Sequence, residues 1–168
     1  TIYVREPDLD LRDVSGVAVI QNGLLEASRA QARLGTAANG RNGALTLGLD
    51  KGNDRFHLDV EVDADVGQFP PYLPRFLKKE EWRTELSLMD DLRGRASGRL
   101  VLGESLKAPR VAVTVSGFDA AASYRRVPFP VQMSGGSITL TDEKVDCSRL
   151  GCVVGKSGFK DVSGTLRW

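Results

Sequence analysis

The chain has 168 residues, 23 of them basic and 22 acidic, for a formal net charge of +1. Its basic residues are scattered as singles and pairs (Arg125-Arg126, Lys78-Lys79), without the basic stripe that a phosphate backbone requires, which argues against nucleic acid as a partner. No run approaches the ~18 apolar residues of a membrane span, and 18 glycines among many Val, Leu and Ala describe a β-rich chain with frequent turns.

A chain of this length, folded compactly, buries roughly 68–70% of its unfolded surface. It opens at Thr1 without a signal-peptide pattern, which reads as a processed or excised piece. The first organised stretch is Gly16-x-Ala18-Val19-Ile20, then Leu25-x-Ala27-Ser28-Arg29, then Leu34-Gly35, closing at Gly43-Ala44-Leu45-x-Leu47. It reads as a short antiparallel β unit whose glycines mark turns. Next comes Phe56–Asp65, with Phe56, Leu58, Val60, Val62 and Ala64 in one phase and His57, Asp59, Glu61, Asp63 and Asp65 in the other. Strict period-two alternation marks a strand with one dry and one wet face.

The pattern then breaks at Phe69-Pro70-Pro71-Tyr72-Leu73-Pro74 and Arg75–Arg93. There, Phe76, Leu77, Trp82, Leu86, Met89 and Leu92 recur at roughly helical spacing and Gly94 supplies a stop. One or two short helices are expected over about 69–93, broken near Lys78–Glu81. Weaker alternation runs through Ala44–Leu49, Arg99–Leu102, Val111–Val115 and Ile138–Leu140, giving nine or ten strands in all.

The first pattern then returns as Gly136-x-Ile138-x-Leu140, Val145-x-Cys147-Ser148-Arg149, Val154-Gly155 and Gly164-x-Leu166. The offset is 136 − 16 = 120 at the start and 164 − 43 = 121 at the end, which counts one inserted residue. The copies cover about 14–49 and 134–168 of a single β-rich segment, residues 1–168. In both, the apolar parity slips: Leu25 and Ala27 give way to Ala30, Ala32 and Leu34, and Val145 and Cys147 to Leu150, Cys152 and Val154. A bulge or corner must absorb each slip, because a one-residue shift otherwise turns every later side chain to the wrong face. The expected fold is therefore mainly β, a curved, bulged antiparallel sheet, either a groove (a β-taco) or a sheet folded over on itself.

Catalytic chemistry is nearly silent. The densest carboxylates (Asp59, Glu61, Asp63, Asp65) alternate outward along one strand, as a solvated face does, and His57 stands alone among them. Ser-Gly pairs at Ser15, Ser97, Ser116, Ser134 and Ser163 read as turns; neither Gly-x-Ser-x-Gly nor a glycine-rich phosphate loop is present. Cys147 and Cys152 are either small unbridged thiols or a corner disulfide, the latter only if Arg149-Leu150-Gly151 turns tightly. No catalytic residue, metal or cofactor is implied, and an enzyme is not expected. What remains is a dry sheet face that the helical segment looks too short to cover.

Pro7-Asp8-Leu9-Asp10-Leu11 leading to Ser15-Gly16, the helical insert, Gly98-Arg99-Leu100-x-Leu102-x-Glu104 and Pro109-Arg110-Val111-x-Val113 follow in order. Ala122-Ser123-Tyr124, Pro128-x-Pro130-Val131, Gly136-x-Ile138-x-Leu140, Gly155-x-Ser157 and Gly164-x-Leu166 complete the series. Together they resemble the large AsmA-like proteins of the Gram-negative envelope, near the YhdP-type members. The first copy departs from the pattern at Thr36-Ala37, where a serine is expected.

The resemblance implies a periplasmic protein anchored in the inner membrane by a segment outside this chain. Such a protein is built of repeating curved sheets that carry phospholipid between inner and outer membranes in a hydrophobic groove. The implied partners are phospholipid acyl chains and neighbouring segments of the same parent chain. The implied lining is Phe56, Leu58, Val60 and Val62, with Val111, Val113, Val115, Ile138 and Leu140. The other reading is a structural or assembly module of an envelope protein, with no lipid conduit.

Overall fold

The computed structural model describes residues 2–4, 9–72, 80–108 and 110–167. The elements in chain order are β1 (Ile2–Val4), β2 (Leu9–Gln21), β3 (Leu24–Leu34), β4 (Ala38–Gly48), β5 (Arg55–Asp65) and a 3-10 turn (Val66–Gln68). There follow α1 (Glu80–Ser87), β6 (Met89–Ser105), β7 (Arg110–Tyr124), β8 (Pro130–Ser134), β9 (Ser137–Thr141), β10 (Lys144–Val154) and β11 (Ser157–Arg167). All eleven strands belong to one antiparallel sheet, in simple sequence order. β8 and β9 share a lane: β9 lies between the first halves of β7 and β10, and β8 between their second halves.

Consecutive antiparallel pairing follows from the short connections. Asn22-Gly23 joins β2 to β3 with φ of 51° and 70°, the left-handed pair of a type I′ hairpin turn, whose twist matches the strands it joins. Pairing is interrupted where the parity slips. Between β3 and β4 the register shifts after Ala27↔Leu45, with Arg29 at φ 52° and Asn42 at φ 51°. Between β10 and β11 it shifts after Cys147↔Gly164, with Arg149 at φ 54° and Asp161 at φ 55°. Asp13 in β2 and Asp91 in β6 hold the same left-handed conformation at their own shifts. Each bulge adds twist and bends its strand, so the slips in Leu25–Leu34 and Val145–Val154 are the bulges that the apolar pattern demands.

The two halves share more than residues. β2 pairs β3 as Ala18↔Ala27 and Ile20↔Leu25, and β9 pairs β10 as Ile138↔Cys147 and Leu140↔Val145, the same register displaced by 120. The closing strands differ from the sequence matching. Ala27 faces Leu45 where Cys147 faces Gly164, so the displacement there is 164 − 45 = 119. The turn Gly155-Lys156 is one residue shorter than Gly35-Thr36-Ala37. Matching Gly43 to Gly164 therefore counts an insertion where the hairpin has a deletion.

The Ser-Gly pairs are also placed differently from expectation. Ser15-Gly16, Ser97-Gly98, Ser116-Gly117 and Ser163-Gly164 lie inside strands, and only Ser134-Gly135 sits at a break. Gly98 shows why a strand needs a glycine here: a Cβ on it would stand 2.1 Å from the Thr114 carbonyl oxygen of β7. In a sequence, a glycine for close strand approach and a glycine for a turn look alike.

The helical expectation holds over a shorter span. α1 ends at Ser87, and Met89–Arg93 is strand, tied to β7 by Met89↔Tyr124, Asp90↔Ser123 and Arg93↔Ala121. The ion pair Arg125 Nε–Asp90 Oδ2 at 2.8 Å fastens the same corner. Pro74, Phe76, Leu77 and the Lys78–Lys79 half of the break expected near Lys78–Glu81 lie outside the described residues, as do Pro7, Asp8 and Pro109, while Glu80 and Glu81 belong to α1.

Most unusual is the absence of a second layer among the described residues. Elements touch substantially only where they are hydrogen-bonded neighbours, apart from the 3-10 turn and α1 against β6. Among the described residues the buried apolar ones are Ala37, Ala38, Ala120 and Leu150, and no large side chain is wholly enclosed. The accessible surface is 11420 Å², against about 8,100 Å² for a compact 18.2 kDa monomer. Folding thus removes about 57% of the surface of an extended chain rather than roughly 69%.

Candidate functional site

Direct partners across an antiparallel ladder present their side chains on the same face, so the register assembles the apolar surface row by row. One row runs Ala18, Ala27, Leu45, Leu58, Leu102, Val111 across β2 to β7. A second runs Val60, Leu100, Val113, Leu140, Val145, Leu166 from β5 to β11. A third joins Val62, Gly98, Val115, Ile138 and Cys147. Beyond the bulges, Ala120, Met133, Cys152 and Phe159 continue the same face.

All nine residues read from the sequence as groove lining therefore share one face. Phe56 opens a further row, with Leu47 on one side and Glu104 on the other. That row ends in charge, because the Glu104 carboxylate accepts from Arg110 Nη1 at 3.4 Å. Eight of the nine are half-buried, shielded at the sides by their ladder neighbours, and Leu140 is exposed. At about 4.8 Å per lane, β2 to β11 make a surface roughly 40 Å across. It is a face rather than a pocket. A hollow of about 310 Å³ at the β7–β8 turn, lined by Tyr124, Val127, Phe129 and their neighbours, includes none of the nine.

Sequence reading missed the partners that make isolated strands into rows: Leu25, Leu45 and Leu47 before β5, and Val131, Met133 and Val154 after β7. Their alternation is interrupted by bulges or confined to five-residue strands, so period two is hard to see.

Around β5 the opposite face is polar and internally paired. Arg99 clasps Asp59 with both arms, one contact being Nε–Oδ1 at 2.6 Å. Arg41 reaches Glu61 at 3.0 Å and Asp63 at 2.9 Å, while Asn42 donates to Glu61 at 3.1 Å. Hydrogen bonding from Arg99 holds the Asp59 carboxyl below the usual range, and hydrogen bonds from Arg41 and Asn42 do so for Glu61. Asp65 accepts from the Gly67 backbone N–H at 3.0 Å and caps the 3-10 turn. The carboxylates of β5 are thus neutralised along the strand, Asp59 by Arg99 and Glu61 with Asp63 by Arg41, instead of converging on one point. No group of three or more His, Cys, Asp or Glu among the described residues is placed to hold a metal ion.

Cys147 and Cys152 are both free, on the apolar face, either side of the Arg149 bulge. Burial, then the nearby Asp146, pushes the Cys147 thiol up, so it stays protonated and behaves as a small apolar side chain. No described helix is long and apolar enough to cross a membrane. No protein-family model matches the chain, and no curated protein or solved structure shows significant similarity to it.

Proposed function

We propose that this chain is a length of a periplasmic hydrophobic-groove protein that carries phospholipid between the inner and outer membranes, with no catalytic role of its own. One observation carries the reading: apolar rows cross the sheet from β2 to β11, and no second layer covers them among the described residues. Large uncovered apolar surfaces on otherwise polar proteins mark binding sites. Acyl chains laid along the rows gain about 25 cal/mol per Å² of apolar area removed from water. Because that gain is non-directional, a chain can slide from row to row while its headgroup stays in solvent. The parent's membrane anchor and the adjoining segments of its groove belong to the same proposal, as does a role in outer-membrane biogenesis.

The test is lipid capture by the chain purified from cells. Native mass spectrometry should detect co-purifying phospholipid, and photo-crosslinkers at Leu58 and Val60 should label acyl chains. Val60→Asp should abolish the crosslink at Leu58. Thr114→Asp, on the polar face between Arg99 and Thr139, should leave it intact. Protein free of lipid and unlabelled at both positions would sink the proposal. The assembly-module reading draws on a different observation, the two unpaired sheet edges.

A further inference from the structure

The two edges are not equivalent. β11 carries Lys160, Asp161 and Arg167 along its length, the kind of charge that discourages pairing with another chain. β2 lacks this protection. Among the described residues β1 covers its outer edge only at Leu9–Leu11, and from Val14 to Gln21 there is no charge and no proline. Ala18 and Ile20 lie in the apolar rows, yet Val17 and Val19 on the other face are also apolar, with 47% and 53% exposure. A strand apolar on both faces is one made to be covered.

The molecule shows the same element with its edge filled. β9 stands to β10 as β2 stands to β3, in the same register displaced by 120. On its outer side β9 carries β7, with Val113↔Leu140 and Val115↔Ile138, and Ala112 and Thr114 opposite Thr141 and Thr139. Leu140 and Ile138 occupy the positions of Ile20 and Ala18.

We propose that the Ser15–Gln21 edge of β2 is a strand-addition site for an extended segment of the β7 kind. Such a segment is uncharged, antiparallel, and carries β-branched apolar residues at alternate positions, which fall beside Ile20 and Ala18. Main-chain hydrogen bonds supply the affinity and the alternate side chains the register. The added strand extends the apolar rows by one lane. The site rests on ladder geometry and does not depend on what the apolar face binds.

The probe is the heptapeptide Val111–Gly117, titrated into the lipid-free, isotope-labelled chain. Amide resonances should shift within Ser15–Gln21, and alternate amides there should exchange at least about tenfold more slowly. The same peptide with Val113→Pro, which cannot complete the ladder, should do neither. Shifts confined to Ser157–Arg167, equal effects of the two peptides, or no shift at all would overturn the proposal. So would protection of Ser15–Gln21 without peptide in a species of doubled mass, because a second copy would then be the occupant. Lipid is absent throughout, so the result stands apart from lipid capture.

Discussion

Arg149 sits at φ 54° in the middle of β10, and its backbone N–H donates to Ser163 Oγ at 3.0 Å. A non-glycine residue held in this region costs on the order of 1–3 kcal/mol, least for side chains unbranched at Cβ. Arg149→Val should therefore lower unfolding stability by about 1–2 kcal/mol, whereas Arg149→Gly should be neutral or slightly stabilising. Urea denaturation checks both. Equal losses would show that the arginine side chain, rather than the backbone, holds the bulge. The polar face predicts a pH response. Asp59, Glu61, Asp90 and Asp146 all lie below their ordinary values, chiefly through hydrogen bonds from Arg99, Arg41, Arg125 and Lys144 respectively. A depressed folded-state pKa contributes stability above the unfolded value and loses it as pH falls through the folded one. Urea midpoints should thus be level from about pH 8 to 5 and drop below about pH 4, the range of unperturbed carboxyls. Asp59→Asn should flatten part of that drop, and a variant tracking the wild type through acid would assign it elsewhere.

Strands differ in how firmly their ladders hold them. β5 and β6 pair without interruption from Arg55↔Ser105 to Asp65↔Arg95, while among the described residues β2 and β11 each leave one side unpaired over most of their length. Hydrogen exchange should be slowest in β5 and β6 and fastest in Ser15–Gln21 and Ser157–Arg167. Slow exchange at either edge would mean that something covers it in solution. The same contrast explains what was legible in the sequence. Phe56–Asp65 shows its two faces plainly because an unbulged strand keeps period two from end to end. The slips at Arg29 and Arg149 are legible as slips, yet their left-handed backbone is not, since arginine carries no signal for it. Helical spacing in Arg75–Arg93 extends past Ser87 because Met89 and Leu92 fit a period of three or four. Only the ladder to Tyr124 and Ala121 claims that segment for β6. The nine lining residues could be chosen strand by strand from alternation, but rows need register, and register is set by turn lengths and bulges. The hairpins closing at Gly35-Thr36-Ala37 and Gly155-Lys156 differ by one residue, a difference that matching glycines reversed in sign.

A sheet without a second layer has a thermodynamic signature of its own. An 18.2 kDa chain exposes about 26,400 Å² when unfolded and about 8,100 Å² when compactly folded. This chain exposes 11420 Å², so unfolding uncovers about 15,000 Å² rather than about 18,300 Å². Denaturant m-values and the heat-capacity increment both scale with that area. Each should fall about a fifth below the value for a compact protein of this length. The missing area is largely apolar, because valines and leucines of the rows remain half-exposed, so the deficit in heat capacity should be the larger of the two. Calorimetry and urea titration of monomeric, lipid-free chain measure both quantities. Values typical of a compact domain would mean that the apolar face closes in solution, by folding over or by pairing with a second copy. If the deficit is present and shrinks when phospholipid is added, the rows from Ala18 to Leu166 are the surface that lipid covers.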